Sequence, residues 1–290
     1  MEILILETNI FYTGKAEEVL SDIESNSIDL IVTSPPYDNL RTYKRVVGNN
    51  KVEFNGYSFP FEEIVEELYR VLKLGAVVVW VVGDAVIKKS ETGTSFRQAL
   101  HFIDKGFLLH DTMIYEKNGP SFPARRTGNR YSQVFEYMFV FSKKIAPKTA
   151  NLICDKPNRW AGFTSFGKSS YRNKEGELIN RVQKPTPDFS PRFNIWKYNT
   201  GKNYSTKDVE AFKHPAIFPE ELAEDHILSW SKEGDIVLDP FSGSGTTSKI
   251  AYINNRKYIG IDITEEYNEI AKERIKNSKQ LTEPNKKTLF

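Results

Sequence analysis

Residues 236–247 read Ile-Val-Leu-Asp-Pro-Phe-Ser-Gly-Ser-Gly-Thr-Thr, and this stretch decides the fold of the 290-residue chain. Its apolar start predicts a buried strand that ends at Asp239, and a helix-like segment begins at Thr246. The two glycines between them allow a tight turn and a close approach of backbone to a ligand. The lysine of a phosphate loop is absent, and Ser248 replaces the third glycine of the dinucleotide fingerprint. The stretch therefore predicts either a strand-turn-helix ligand loop of another type or a plain glycine turn.

A second acid ends the next predicted strand, residues 257–262. Asp262 follows Gly245 by 17 positions, where an acid can hold the two hydroxyls of a ribose. The alternative is an acid at a strand end that only caps the following helix.

Apolar runs bounded by charged residues alternate with helix-like segments over most of the chain. This alternation is typical of an α/β fold with a mainly parallel sheet. The predicted strands are 3–6, 28–33, 76–82, 108–116, 134–141, 236–239 and 257–262. The predicted helices are 61–73, 95–105, 219–231, 246–254 and 264–276, and Gly75 is expected to stop the first of them.

Residues 143–208 break this alternation with five prolines and no sustained periodicity, which predicts a loop-rich insertion. Between Lys143 and Lys202 there are 13 Lys and Arg residues against four Asp and Glu residues, although the whole chain carries a net charge of only +2. Eight aromatic residues are interleaved with these cations. The combination favours a polyanion with exposed bases, and a solvated basic loop region accounts for it equally well.

A second motif, Thr33-Ser-Pro-Pro-Tyr37, follows the apolar run 28–32 directly. Consecutive prolines stiffen a loop and remove two backbone donors, which leaves carbonyl acceptors. Ser34 adds a hydroxyl acceptor and Tyr37 a flat ring, which suit an exocyclic amino group on a base swung out of a helix. Alone, such a string is more often a linker or a turn, but its position at a strand end favours function.

Together, the two motifs resemble the S-adenosylmethionine-dependent amino-methyltransferases of DNA in their circularly permuted β class. The resemblance extends from Ile10 to about Lys276 and implies a Rossmann-like methyltransferase fold with a mainly parallel twisted sheet and one antiparallel strand. By the same resemblance, residues 3–6 are the third cofactor strand. The implied organisation is a catalytic half (1–142), an inserted target-recognition region (143–210), a cofactor-binding half (211–276) and a tail (277–290).

The resemblance also implies roles for individual residues. Ser34, Pro35, Pro36 and Tyr37 would be catalytic, and Thr33 would reach the cofactor from the same loop. The other cofactor residues would be Asp239, Pro240, Phe241, Ser242, Gly243, Ser244, Gly245, Thr246, Thr247 and Asp262, with His214, Pro215, Phe218 and Pro219 at the methionine end. The DNA contacts would be Arg125, Arg126, Arg130, Arg159, Trp160, Lys168, Arg172 and Trp196. Lys15 is a departure, because relatives often carry an acid at that position.

The expected reaction is methyl transfer to the exocyclic N4 of cytosine in double-stranded DNA. In the resembling family a serine before Pro-Pro-Tyr accompanies cytosine N4, whereas an aspartate accompanies adenine N6, so adenine N6 is the alternative. The lone Cys154 lies in the insertion and is not expected to form a covalent intermediate. A partner restriction endonuclease is compatible with the resemblance, as is a solitary enzyme.

Composition excludes several other classes. The longest apolar run, residues 76–82, is far shorter than the ~20 residues of a membrane span, and the N-terminus lacks the pattern of a signal peptide. We therefore expect a cytoplasmic protein without a metal centre, since the four histidines show no ligand spacing. Two rival functions share part of the evidence: a nicotinamide-dependent oxidoreductase would explain the glycine loop, and a non-enzymatic DNA-binding protein would explain the basic insertion.

Overall fold

The computed structural model describes residues 7–36, 42–47, 50–55, 59–119, 129–164, 170–180, 184–201, 204–214, 217 and 219–282. The chain divides into two compact units. The larger unit comprises residues 1–151 and 194–290, and the smaller one comprises residues 152–193. The smaller unit lies within the 143–210 stretch that the sequence marks as an insertion.

The larger unit is built on a mainly parallel sheet of eight strands. These are β1 (Ile10–Thr13), β2 (Ile28–Thr33), β3 (Leu72–Val82), β4 (Phe107–Lys117), β5 (Phe135–Lys143), β6 (Ile195–Tyr198), β7 (Ile236–Asp239) and β8 (Lys257–Asp262). Their order across the sheet is β1-β8-β7-β2-β3-β5-β4-β6. All neighbours are parallel except β5, which runs antiparallel to both β3 and β4. The mainly parallel α/β sheet with one antiparallel strand is confirmed.

Helices connect the strands and cover the sheet. They are α1 (Ala16–Ser21), α2 (Phe61–Val71), α3 (Thr94–Asp104), α4 (Glu220–Trp230), α5 (Thr246–Ile253) and α6 (Glu265–Thr282), with a 3-10 helix at Val209–Lys213. The remaining strands form two hairpins in this unit, Thr42–Val47 with Asn50–Asn55 and Val86–Ile87 with Ser90–Glu91. The smaller unit holds two more ladders, Lys156–Pro157 with Phe189–Ser190 and Ser170–Arg172 with Leu178–Asn180.

The core explains why the central strands read as continuous apolar runs. Residues 76–82 of β3 are all buried, because a parallel sheet has both faces covered. Helix α2 packs on one face through a stripe that includes Ile64, Leu68 and Val71. Strands β2, β7 and β8 begin and end where the sequence predicts.

The predicted helix 61–73 with Gly75 as its stop is wrong at its C-terminal end. Helix α2 ends at Val71, and Leu72 is already extended because it pairs with Ile28 in the neighbouring strand. Gly75 lies inside β3 with φ of +72°. Sheet pairing therefore overrides the local glycine signal at this position.

In the described part of the chain, the third strand on the cofactor side of the sheet is β1. Strand β1 pairs in parallel with β8 from Ile10 opposite Ile259 to Thr13 opposite Asp262. Residues 3–6 lie outside the described residues. Phe11 is buried against Tyr258, with 5.2 Å between ring centroids. Strand β1 alternates buried and partly exposed residues, so it contains no continuous apolar run that would predict a strand.

No helix within the described ranges is long and apolar enough to cross a membrane.

Candidate active site

Strands β7 and β2 are parallel neighbours at the centre of the sheet, and their carboxyl ends lie side by side. From β7 the chain passes through α5 to β8 on one side, whereas from β2 it leads through α2 to β3 on the other. This reversal of direction is a topological switch point, where open α/β sheets bind ligands. Both sequence motifs end at this crevice.

Asp239 lies at the centre of the crevice and is only 1% exposed. Its Oδ1 accepts hydrogen bonds from Thr33 Oγ1 at 2.7 Å and from the backbone N–H of Phe241 at 3.1 Å. Burial raises the pKa of Asp239 to about 6, although hydrogen bonds from Thr33, Phe241 and Thr247 oppose this rise. A buried carboxylate of this kind favours a ligand that brings positive charge or hydrogen-bond donors.

Asp262 ends the neighbouring strand and holds the glycine loop. Its Oδ2 accepts from the backbone N–H of Gly243 at 3.0 Å, and its Oδ1 accepts from the N–H of Thr264 at 2.8 Å. Burial again raises the pKa to about 6. Each carboxylate oxygen keeps a further lone pair, so Asp262 can also accept from ribose hydroxyls.

The glycine loop between β7 and α5 leaves no room for side chains at two positions. Gly245 has φ of +74°, and a Cβ there would lie 2.4 Å from the Cβ of Ala271 in α6. Gly243 has φ of +50°, and a Cβ there would lie 2.9 Å from the imidazole of His214. The loop backbone is therefore tightly enclosed by α6 and His214, which forms a cradle of the size that only glycine permits.

His214 follows the 3-10 helix and lies against Tyr267 of α6, with 4.4 Å between ring centroids. The ring is largely buried, and Pro219 directly precedes α4. Pro215 and Phe218 lie outside the described residues. The structure thus brings His214 to the glycine loop, as its predicted role requires.

The predicted catalytic residues follow β2 without a break. Pro35 is buried, whereas Ser34 and Pro36 are half-buried, and Tyr37 lies outside the described residues. Because Thr33 is bonded to Asp239, Ser34 starts its loop beside the carboxylate crevice. The side chain of Thr247 is bonded to the carbonyl of Val32 at 3.1 Å, which ties α5 to the same strand end.

The predicted DNA contacts are divided between the two units. Within the smaller unit, Trp160 is 56% exposed and the Arg159 guanidinium lies 5.4 Å from its ring centroid. Arg172 is exposed and donates to the carbonyl of Gly176 at 2.7 Å. In the larger unit, Arg130 is exposed and bonded to the carbonyl of Lys89. Arg125, Arg126 and Lys168 lie outside the described residues.

The prediction that Trp196 contacts DNA is wrong. Trp196 lies in β6 and is only 6% exposed, and its ring packs against His226 with 4.8 Å between centroids. The strand that carries it completes the edge of the main sheet, so its ring belongs to the core. Composition alone could not separate this buried tryptophan from the exposed Trp160.

Sequence reasoning missed four charged residues and a threonine beneath the glycine loop: Asp208, Glu220, Lys249, Arg274 and Thr206. Arg274 is fully buried among the apolar residues of α6. An arginine next to Ile275 and four positions after Ile270, on the stripe that faces the core, was the available signal.

The polar groups of the crevice are chemically suited to bind S-adenosylmethionine. Two buried carboxylates suit a ligand with positive charge and ribose hydroxyls, and the glycine cradle permits close backbone contact. No group of three or more His, Cys, Asp or Glu side chains in the described part of the chain could hold a metal ion. The fold and the crevice together are those of an α/β protein that binds a nucleoside cofactor at the switch point of its sheet.

Comparison with known proteins agrees with this class. The model of a protein family described as DNA methylase, acting at N6 or N4, matches residues 28–273. The orphan methyltransferase M.BamHII of Bacillus amyloliquefaciens is 59% identical over 252 residues, which is 87% of this chain and 89% of that protein. The chain therefore belongs to the N6/N4 DNA methylase family.

Two solved structures share the fold. The PvuII DNA methyltransferase, described as cytosine-N4-specific, has a TM-score of 0.63 at 22% identity, covering 96% of this chain and 87% of that one. M1.HpyAVI in complex with S-adenosylmethionine has a TM-score of 0.56 at 20% identity, covering 92% and 98%.

Membership of the family settles the class of reaction. The protein is a DNA methyltransferase, and S-adenosylmethionine is its methyl donor. The nicotinamide-dependent and non-enzymatic alternatives are therefore excluded.

Proposed function

We propose that this enzyme methylates the exocyclic N4 of cytosine in double-stranded DNA. The observation that carries the proposal is Ser34, which follows Thr33 at the carboxylate crevice and precedes two prolines. In the resembling family, serine at this place accompanies cytosine N4. The PvuII enzyme, which shares the fold and is described as cytosine-N4-specific, agrees with this choice.

The proposed chemistry needs no covalent intermediate. Bound S-adenosylmethionine supplies a methyl group on a sulfonium centre. The Ser34 hydroxyl and the Pro35 carbonyl accept the two hydrogens of the amino group, which frees its lone pair from conjugation with the ring. The crevice contributes mainly by holding the amino nitrogen and the methyl group in line. The single cysteine, Cys154, is exposed and belongs to the smaller unit.

Adenine N6 is the second candidate, because the family acts at either position and both bases present an amino group. A purine is larger than a pyrimidine, so the two bases differ in the space they need beside Ser34. The two candidates make different products from the same assay.

We further propose that the smaller unit recognises the DNA target. Exposed aromatic rings and cations alternate on it. Aromatic rings can stack on bases, and Lys and Arg side chains can neutralise phosphates. Lys156 Nζ lies 3.9 Å from the ring centroid of Phe193, which is 66% exposed, and Arg159 lies beside Trp160. Arg125, Arg126, Arg130, Lys168 and Arg172 remain proposed phosphate contacts.

Membership of a DNA methylase family and a bacterial relative support a cytoplasmic location for this enzyme. The name of that relative, an orphan methyltransferase, favours a solitary enzyme over one with a partner endonuclease.

The experiment is incubation with unmethylated bacterial DNA and S-adenosylmethionine, followed by digestion and mass spectrometry of the nucleosides. N4-methylcytosine supports the proposal, and N6-methyladenine replaces it with the second candidate. Ser34→Ala is expected to lower the rate of methyl transfer about 10²-fold or more, as loss of one positioned polar contact does. The control Ser90→Ala, on an exposed hairpin, is expected to keep the wild-type rate. A Ser34→Ala variant as fast as wild type would refute the assigned contact.

A further inference from the structure

A compact network of ion pairs lies beneath the glycine loop. Arg274 Nε donates to Asp208 Oδ2 at 2.8 Å, and its Nη2 donates to Glu220 Oε1 at 2.7 Å. Lys249 reaches the same two oxygens at 3.4 Å and 2.8 Å. The network contains two positive and two negative side chains, so its formal charge is balanced, as burial requires.

The charges of the network reinforce one another. Burial alone would raise the pKa of Asp208, but the hydrogen bonds and charges of Arg274 and Lys249 outweigh burial and hold the pKa below its ordinary value. Thr206 Oγ1 also donates to Glu220 Oε1 at 2.8 Å. Glu220 is therefore bound by three separate donors.

Arg274 also contacts the cofactor loop directly. Its Nη1 donates to the carbonyl of Ser244 at 2.5 Å and lies 3.1 Å from Ser244 Oγ and 3.2 Å from Thr246 Oγ1. The planar guanidinium has five donors in a fixed arrangement, so one side chain can bind the loop and both carboxylates at once. Lys249 cannot replace it, since an ammonium carries only three donors on one atom.

The two carboxylates bracket the segment that contains His214. Asp208 accepts from the backbone N–H of Glu210 at 3.2 Å and so caps the 3-10 helix that leads to His214. Glu220 is the first residue of α4, just after Pro219. Between these anchors, the His214 imidazole lies against Gly243 of the cofactor loop. Arg274 thus connects both ends of this segment to the loop that His214 touches.

We infer that Arg274 is a positioning residue for S-adenosylmethionine. Through Asp208 and Glu220 it holds residues 208–214 and the start of α4 against the loop at 242–246, in the arrangement that forms the cofactor pocket. The inference rests on the assignment of this loop to the cofactor. Arg274 acts through Ser244, Thr246 and His214 and need not touch the cofactor itself. Its removal would leave Asp208 and Glu220 with Lys249 as their remaining cation and release the loop carbonyl of Ser244.

The test compares calorimetric dissociation constants for S-adenosylmethionine in the full-length protein and its variants. Arg274→Gln is expected to weaken binding at least tenfold. Arg274→Lys is expected to recover only part of that loss, because lysine keeps the positive charge but lacks the several separate donors of the guanidinium. Hydrogen exchange of the amides in residues 208–214 and 242–246 is expected to accelerate together in Arg274→Gln.

The matched control is Arg256→Gln. Arg256 is another buried arginine, bonded to Ser231 and to the carbonyl of Asn254, away from the loop. The Arg256→Gln variant is expected to lose thermal stability, while its dissociation constant for S-adenosylmethionine stays within twofold of the wild-type value. Lys272→Gln, at an exposed ion pair on the same helix as Arg274, is expected to change neither quantity.

If Arg274→Gln does not fold, Glu220→Gln serves instead, because it keeps an oxygen acceptor while removing one charge of the network. A folded Arg274 or Glu220 variant with wild-type affinity would overturn the inference, as would an equal loss of affinity in Arg256→Gln. Failure of the wild-type protein to bind the cofactor would overturn the assignment of the site as well. Normal binding without methylated DNA would count against the proposed substrate only.

Discussion

Thr33 Oγ1 donates a 2.7 Å hydrogen bond to Asp239 Oδ1, joining two residues that are 206 positions apart in the chain. The bond connects the carboxyl ends of two parallel neighbours, β2 and β7. Ser34 continues from one partner and the glycine loop from the other. One buried contact therefore links the loop proposed to hold the target base with the loop proposed to hold the cofactor.

Removing this bond should change how cofactor binding depends on pH. Because the Thr33 hydroxyl opposes the rise in the pKa of Asp239, Thr33→Val should raise that pKa further. Asp239 Oδ1 keeps its bond from the N–H of Phe241, so the cost is that of one hydrogen bond to a charged group, about 1.5–3 kcal/mol. We expect weaker cofactor binding at pH 7 and a binding profile shifted to higher pH. Titration calorimetry between pH 5 and 9 measures both. Thr33→Ser, which keeps the hydroxyl, should behave like wild type, and identical profiles for Val and Ser would contradict the prediction.

Asp239→Asn should stabilise the protein while weakening cofactor binding. The pKa of Asp239 is about 6 in the fold and near 3.8 when unfolded, so the folded state binds the proton more tightly and stability falls as pH rises from about 4 through 6. At pH 8 the charged carboxylate costs up to about 3 kcal/mol, which asparagine avoids. Thermal unfolding should show a higher midpoint for the variant at pH 8 and no gain at pH 4.

The control for that experiment is Asp188→Asn, at an exposed position of the smaller unit. Its unfolding midpoint should match wild type at both pH values. A gain for Asp239→Asn that persists at pH 4 would point to a cause other than the buried charge.

Gly245→Ala should be far more harmful than an alanine at another left-handed glycine. Gly245 and Gly234 have φ of +74° and +83°, so both substitutions strain the backbone. A Cβ at 245 would also lie 2.4 Å from Ala271, whereas nothing lies within 4 Å of one at 234. We expect Gly234→Ala to cost about 1 kcal/mol and Gly245→Ala about 2–4 kcal/mol, since overpacking adds to the strain. Denaturant unfolding compares the two, and equal losses would show that the contact with α6 is unimportant.

His226 should make the fold sensitive to acid. It is fully buried between Trp196 and Met138, and its Nδ1 accepts from Trp230 Nε1 at 3.3 Å. Burial lowers the pKa of His226 to about 3. Between pH 6.5 and about 3, His226 is therefore protonated in the unfolded chain but neutral in the folded state. Stability should fall by about 1.4 kcal/mol for each pH unit below 6.5 from this residue.

Urea unfolding between pH 4.5 and 7.5 tests the role of His226. His226→Gln should lower stability at pH 7.5 but flatten its dependence on pH, whereas the non-titrating control Ser90→Ala, at an exposed position, should leave the slope unchanged. A His226→Gln variant with the wild-type slope would assign the acid sensitivity to other groups.

Trp160→Ala should weaken DNA binding without affecting the cofactor. Stacking of a base on an aromatic ring contributes about 1–3 kcal/mol, so the affinity should fall roughly 5- to 150-fold. Phe96→Ala removes a comparably exposed ring from α3 in the larger unit and should leave DNA affinity unchanged. Fluorescence anisotropy at constant salt measures both, and equal affinities for the two variants would remove Trp160 from the DNA surface.

Local patterns account for the parts of the fold that the sequence predicts correctly. Strands β2, β7 and β8 have short apolar runs with acids or threonine at their ends, and their signals depend only on neighbouring residues. The end of α2 was misplaced because the pairing of Leu72 with Ile28 is a contact between distant segments. Strand β1 was not predicted, because its burial also depends on distant segments: Phe11 packs on Tyr258, and Asn268 of α6 donates to the carbonyl of Tyr12.

Residue patterns alone predicted a turn between strand and helix at the glycine loop and a stiff proline loop after β2, because glycines, prolines and strand-end acids act through local backbone geometry. The class of chemistry came from the resemblance of the two motifs to a known family. The tertiary structure was needed to show that Trp196 is a core residue, that Thr33 bonds to Asp239, and that Arg274 joins the cofactor loop to Asp208 and Glu220. These are contacts between segments far apart in the chain. Which side chains are buried, and which residues they bond, is set when the sheet brings such segments together. A local sequence pattern does not contain that information.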